Sequence, residues 1–237
     1  MLDPTGRVIL VSGANRGIGF AIAEALYRKG YTVSLGVRDP GKLQDAIAHW
    51  NELRLQTAHY EATDWKTHAA WVESAVERFG RIDGIVNNAG IGSRATLRDI
   101  AEGELDRIFA VNCKAPLNMI RHALPHLEAS GAGRIVNIAS LSGKRVRNDH
   151  IAYNMSKFAV LALTHSVRRL GWDKGVRATA LCPSFVRTDM TAGTDRIAAE
   201  LMSDPADIAE LVATLIGLPN TAAIAELLVN CRLEEMV

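Results

Sequence analysis

Tyr153 precedes Lys157 by four residues, in the run Tyr153-Asn154-Met155-Ser156-Lys157. On a helix four residues is about one turn, so both side chains share a face. A free phenol ionises near pH ~10 and is a poor acid or base at neutrality. An ammonium about 4 Å away, at an effective dielectric of ~20, favours the phenolate by roughly 4 kcal/mol. That interaction is large enough to bring a phenol into use as a general acid or base. The spacing therefore predicts proton-transfer machinery. The competing reading is an ordinary amphipathic helix with the Tyr153 hydroxyl at its surface.

A second feature stands upstream. A short apolar run leads into Ser12-Gly13-Ala14-Asn15-Arg16-Gly17-Ile18-Gly19, and a helical pattern follows. Glycines let the backbone turn tightly and approach a pyrophosphate, while a helix N-terminus offers free N–H groups and a positive dipole end. The spacing is Gly-x-x-x-Gly-x-Gly rather than the commoner Gly-x-Gly-x-x-Gly. A plain glycine turn is the alternative, but the strand–turn–helix context favours a dinucleotide cradle.

The elements that must position these groups alternate along the chain. Strands are expected at 7–12, 32–37, 57–60, 82–87, 134–139, 176–181 and 224–229. Helices are expected at 18–29, 42–53, 65–79 and 152–170, and from Pro205 to about 217. Two more fall within 97–129, with a break near 112–116. Phe158, Leu161 and Val167 are expected on the buried side of 152–170, and 188–204 is less regular. The pattern implies an α/β fold: one doubly wound parallel sheet with helices on both faces, in one domain over 1–237. Ligands of such sheets sit at the carboxyl ends of the strands.

Composition narrows the function. Of 237 residues 48% are hydrophobic, enough for a substantial core, and 27 Lys+Arg against 26 Asp+Glu leave a net charge of +1. Nothing in that balance calls for nucleic acid or a membrane surface as partner. Cys113, Cys182 and Cys231 lie far apart, with neither metal-ligand spacing nor a disulfide framework. No metal is expected, and a reducing cytoplasm is the natural setting. The N-terminal residues lack a signal-peptide pattern, and Val8-Ile9-Leu10-Val11 is far too short to span a bilayer.

In its glycine loop the chain resembles the short-chain dehydrogenase/reductase family, in the short single-domain branch. That family's pattern is Thr-Gly-x-x-x-Gly-x-Gly, and only Ser12 departs from it. Asn87-Asn88-Ala89-Gly90 resembles the motif after the fourth strand, and Asn112 follows Val111 where the family keeps an active-site Asn. Ser140 closes the fifth strand thirteen residues before Tyr153. Pro183 and Thr188 match part of a Pro-Gly and Thr segment, although Ser184 replaces the Gly.

The resemblance implies a Rossmann fold and a catalytic set of Ser140, Tyr153, Lys157 and Asn112. Ser140 would hydrogen-bond the substrate oxygen, and Tyr153 would exchange a proton with it. Lys157 would favour the phenolate and bind the nicotinamide ribose, and Asn112 would help hold a water linking Lys157 to solvent. The cofactor would lie against Gly13, Asn15, Arg16, Gly17, Ile18 and Gly19 of the loop. Arg38, Ala62, Asn88, Ala89 and Gly90 would continue its wall, and Tyr153, Lys157, Pro183, Val186 and Thr188 would complete it. Val37 stands where NAD-preferring relatives carry Asp, and Arg38 follows as in NADP-preferring ones. Arg16 could reach the same 2′-phosphate, so NADP(H) is the expected cofactor. The alternative leaves both arginines solvated and gives Asp39 a ribose hydroxyl.

The expected activity is interconversion of a ketone or aldehyde and an alcohol on a small-molecule substrate. The rivals are an NAD-linked alcohol or polyol dehydrogenase and a non-catalytic dinucleotide-sensing regulator. Lys144, Arg145, Arg147 and His150 crowd the loop before Tyr153. They read as a solvated face, with reception of a substrate carboxylate or phosphate as the alternative. Cys182 and His165 read as core and as packing or surface. The run Leu227-Leu228-Val229-Asn230-Cys231-Arg232 and the short acidic tail after it lack the family's Gly-rich ending. A homo-dimer or homo-tetramer is expected through the helices of 97–129 and 152–170.

Overall fold

Seven short strands pair in parallel in the order β3-β2-β1-β4-β5-β6-β7. They are β1 Val8–Ser12, β2 Thr32–Val37, β3 Leu55–His59, β4 Gly84–Asn87, β5 Arg134–Ile138, β6 Arg177–Pro183 and β7 Glu226–Val229. The structure is a computed structural model that describes residues 1–234; the end of the acidic tail, 235–237, lies outside the described residues. The helices are α1 Gly17–Arg28, α2 Gln44–Ile47, α3 Trp65–Phe79, α4 Glu102–Phe109, α5 Ala115–Ala129, α6 Ile151–Gly171 and α7 Pro205–Gly217. No helix among the described residues is long and apolar enough to cross a membrane.

Parallel strands need crossover helices, and these cover both faces of the sheet. Ile9 and Val11 of β1 pack with Ile22 and Leu26 of α1 and with Ile208 and Val212 of α7. Val8 and Leu10 turn to the other face, against Trp71 of α3, Met119 of α5 and Val167 of α6. This alternation within a wholly buried strand explains why β1 reads as a continuous apolar run. The chain progresses one way from β1 to β3 and the other way from β4, so the crevice between β1 and β4 is the switch point.

Three expectations are corrected. The helix expected over 42–53 shrinks to a 3₁₀ turn at Pro40–Leu43, the single turn of α2 and a second 3₁₀ turn at Glu52–Arg54. Asn51 explains the stop, because its carboxamide accepts from Leu53 N at 2.9 Å and offers the backbone a turn instead. Trp50 is buried there, stacked on Tyr27 at 4.4 Å. The break expected near 112–116 is absent, since α4 runs through a π-helical turn, Ala110–Lys114, into α5. Pro116 falls in the first turn of α5, directly after the π-turn.

Phe158 is 42% exposed rather than buried. The inward stripe of α6 at that level is Ser156, Lys157, Val160 and Leu161. A polar pair occupies the position that an apolar pattern assigns to the core.

Helix α3 lies so close to β2 that a Cβ on Gly36 would sit 2.4 Å from the Trp71 ring. Trp71 is fully buried and donates its indole N–H to Ser34 Oγ at 2.8 Å. Gly36→Ala should therefore destabilise the protein by about 1–3 kcal/mol in urea unfolding. The cost should be smaller in a Trp71→Phe background, and strictly additive losses would refute the steric account.

Candidate active site

The glycine loop joins β1 to α1 with Gly13 and Gly17 at φ 66° and 54°, a region that favours glycine. A Cβ on Gly17 would come 3.3 Å from Thr188 Cγ2, closing the gap between the start of α1 and the loop after β6. A Cβ on Gly19 would lie 2.3 Å from Gly13 O and 2.4 Å from Asn88 Nδ2. The last glycine therefore serves the closure of helix on loop, and the first two shape the cradle.

Ser12 Oγ accepts from Asn88 N at 3.0 Å and from Ala89 N at 3.1 Å. Asn88 Nδ2 donates back to Ser12 O and Gly13 O at 3.0 and 3.2 Å. The loops after β1 and β4 are thereby stitched across the switch point. A hydroxyl is what this requires, so Ser serves as well as the family's Thr.

Asn112 sits inside the π-turn, 2% exposed. Its Oδ1 accepts from Ile91 N at 2.9 Å, and its Nδ2 donates to Ile91 O and Ser156 Oγ at 3.0 Å each. The side chain clips the loop after β4 to α6 and does not cap a helix start. Every other site residue expected from the sequence lines one cleft of about 930 Å³. Asn112 alone stands behind its wall.

Lys157 is 7% exposed and donates Nζ–H to Ile138 O at 2.9 Å. Its Nζ lies 5.6 Å from the centroid of the Tyr153 ring. One of its three N–H donors is used, and the charge stays where the phenol is. Ser140 is extended, and its Oγ accepts from Ser142 N at 3.1 Å, which leaves the hydroxyl proton for another acceptor. Ser140 lines the cleft and Ser142 is not among its lining residues. The 3₁₀ turn that follows packs on α6, since a Cβ on Gly143 would lie 2.6 Å from Lys157 O. That contact fixes Ser140 relative to Tyr153 and Lys157.

At the far end Val37 is buried and aliphatic, and Arg38 follows on the cleft wall. Asp39 Oδ1 accepts from Gly41 N at 3.1 Å and Oδ2 lies 3.7 Å from Lys42 Nζ, so its carboxylate is engaged locally. Arg16 does not converge with Arg38. Its guanidinium reaches across to Asp189 at 2.6 Å, with both side chains largely exposed. Exposed pairs of this kind are weak and exchangeable.

Sequence reasoning missed Tyr60, Lys42 and Arg107, which also line the cleft. Tyr60 follows β3, and the strand-end rule could have found it. Burial, opposed by a hydrogen bond with Ser12, pushes its phenol well up from the ordinary value. It serves as a neutral wall. Burial also raises the Cys182 thiol to about 11, in keeping with a core residue. His165 Nε2 lies 2.7 Å from Glu226 Oε1 at the surface. The basic loop is a solvated face only in part, with Arg147 exposed and Lys144 and Arg145 drawn into ion pairs. Lys144 Nζ meets Glu226 Oε2 at 2.6 Å, and Arg145 pairs with Glu234.

A family model described as short chain dehydrogenase matches residues 7–197. The chain belongs to the short-chain dehydrogenase/reductase family. An agropine synthesis reductase of Rhizobium rhizogenes is 47% identical over 230 residues, covering 97% of this chain and 53% of that protein. The chain thus spans about half the length of the agropine synthesis reductases it matches. A 3-ketoacyl-(acyl-carrier-protein) reductase of Brucella melitensis, solved with NADH, superposes with TM-score 0.88 at 26% identity, over 96% of this chain and 98% of that one. A metagenomic short-chain oxidoreductase solved with NADP gives TM-score 0.82 at 32% identity, over 98% and 100%. For this short-chain dehydrogenase a nicotinamide dinucleotide cofactor follows. The glycine cradle with its left-handed turns, and the gap beside Thr188 that a Cβ would close, fit such a group.

The stitch at Ser12 is open to test. Ser12→Ala leaves two backbone N–H groups without their acceptor and should cost about 1–3 kcal/mol in urea unfolding. It should also weaken nicotinamide cofactor binding in a fluorescence titration, while Ser12→Thr retains both properties. Parent-like behaviour of the Ala variant would show that the stitch holds neither the fold nor the cofactor site.

Proposed function

We propose that this chain is an NADP(H)-dependent reductase that interconverts a ketone or aldehyde and an alcohol on a small substrate, with Tyr153 as general acid/base. The observation that carries the reading is one cleft lined by Ser140, Tyr153 and the buried Lys157 together with the glycine cradle. A bound nicotinamide supplies or accepts the hydride. Gly13, Asn15, Arg16, Gly17, Ile18 and Gly19 would hold its pyrophosphate side, and Asn88, Ala89, Gly90, Pro183, Val186 and Thr188 would hold the rest. Ser140 donates to the carbonyl oxygen and fixes its orientation. Tyr153 gives its proton to that oxygen as it gains charge, and the Lys157 cation stabilises the phenolate left behind. Asn112 acts through the loop it clips, holding Gly90 and Ile91 against α6.

NADP is favoured over NAD by Val37, Arg38 and the local engagement of Asp39. The reductive direction is favoured by the relatives, three of which are named reductases. One domain over 1–237 fits the single sheet. Free Cys113, Cys182 and Cys231 suit a reducing cytoplasm. Exposed Leu117, Met155 and Phe158 on α5 and α6 suit a homo-dimer or homo-tetramer.

The test is cofactor depletion at about 340 nm over ketones, aldehydes and sugars, with both reduced cofactors. Carbonyl-dependent NADPH oxidation is expected. Tyr153→Phe should lower kcat by about 10²–10⁴-fold and leave cofactor affinity nearly unchanged. A Phe variant as fast as the parent would sink the assignment. Arg38→Asp should raise the KM for NADPH about tenfold or more and that for NADH far less, through loss of the charge-assisted contact. Equal effects on both cofactors would return the preference to NAD.

A further inference from the structure

Beside Ser140, the loops that follow β5, β6 and β7 meet on one carboxylate. Arg145 follows the 3₁₀ turn after Ser140, and its backbone N–H donates to Leu141 O at 3.1 Å. Its guanidinium is 11% exposed and pairs with the Glu234 carboxylate, itself 7% exposed. Ser184, on the cleft wall after β6, donates its hydroxyl to the other oxygen of that carboxylate. Arg232 Nε lies 4.0 Å from the same oxygen, and its guanidinium stands 5.9 Å over the Phe185 ring.

Two departures from the family pattern coincide here. Ser184 stands where the family has Gly, so it brings a hydroxyl donor that the pattern lacks. The segment after β7, which lacks the Gly-rich ending, brings the carboxylate. The receptor is also incompletely filled, because Arg145 Nε is buried with no hydrogen-bond partner among the described residues. A guanidinium offers five donors in a planar fork that suits a carboxylate in two-point contact. Burial, and then the charges of Arg147 and Arg232, lower Arg145 from its ordinary value. A carboxylate paired with the guanidinium, as Glu234 is, offsets both effects.

We propose that Arg145 and Ser184 form a receptor for a substrate carboxylate, and that Glu234 occupies it until the substrate displaces it. The substrate class is then a carbonyl compound that also bears a carboxylate. Exchanging one carboxylate for another keeps the buried guanidinium paired, whereas simply removing Glu234 would leave it alone. Glu234 acts as an internal competitor, and the apparent affinity for the acid is reduced by the fraction of time it occupies the receptor. The inference rests on the carbonyl-reductase reading given above.

The experiment separates the two. Keto acids and their methyl esters, 4-oxopentanoate and 5-oxohexanoate among them, are assayed as pairs with the parent, Glu234→Ala and the double variant Arg145→Leu/Glu234→Ala. The double variant leaves no buried charge unpaired. In parallel, glutarate, which has no carbonyl to reduce, is titrated calorimetrically into each protein with NADP present. Glu234→Ala should lower the KM for the acids about tenfold and leave kcat and the ester KM within about twofold. The double variant should lose the preference for acid over ester. Glutarate should bind Glu234→Ala most tightly and the double variant not at all. Equal changes for acid and ester, or glutarate binding unaffected by Arg145→Leu, would overturn the receptor. Turnover of esters with no glutarate bound to Glu234→Ala removes the receptor and leaves the reductase. Glutarate binding that follows Arg145, with no turnover across the panel, removes the reductase and leaves an anion site.

Discussion

A run of hydrogen bonds across the carboxyl end of the sheet holds the whole cleft in register. Ser12 grips the backbone of Asn88 and Ala89, and Asn88 returns the contact to Ser12 and Gly13. Two residues on, Ile91 is clipped on both backbone groups by Asn112, which reaches Ser156 of α6. Ser156 Oγ donates in turn to Tyr153 O at 2.8 Å. The glycine loop and the phenol-bearing turn of α6 are thus joined through four short links. All of them are buried or partly buried, where a lost partner is costly. A parallel sheet with both faces covered has no polar surface of its own there, so order at its rim must come from such links.

A second polar line runs beneath the first. Asn87 of β4 donates to Asn137 of β5 at 2.8 Å, and Asn137 donates to Thr164 of α6 at 2.8 Å. Thr164 closes on Val160 O of its own helix. These residues sit among aliphatic neighbours and fix the height of α6 against the sheet. That height decides where Lys157 meets Ile138 O. The chemistry at the rim is therefore set partly by polar groups inside the sheet, which a purely apolar packing surface could not register as sharply.

The fold was legible because its signals are local. Buried strands announce themselves as β-branched runs, and Gly13, Gly17 and Gly19 sit in a strand–turn–helix whose geometry demands them. The expected lining residues of the cleft followed from the resemblance and its motifs, and Tyr60, just past the end of β3, belongs to none of those motifs. What stayed hidden depends on partners distant in sequence. Nothing near Asn112 announces a π-turn, because the turn is stabilised through Ile91 and Ser156. Phe158 reads as core until Lys157 is seen to hold the inward position. Arg16 and Asp189 lie 173 residues apart, and Arg145 and Glu234 lie 89 apart. No periodicity encodes such pairs, so a basic loop that looks solvated proves to hold Lys144 and Arg145 in ion pairs.

The Arg16–Asp189 contact links the glycine loop to the loop after β6, so it crosses the mouth of the cleft from rim to rim. Both side chains are well exposed, and counter-ions screen such pairs over about 8 Å at physiological ionic strength. The clasp is therefore one that salt loosens while the covered groups behind it are left unscreened. Salt therefore acts on this pair at the rim more than on the buried Lys157.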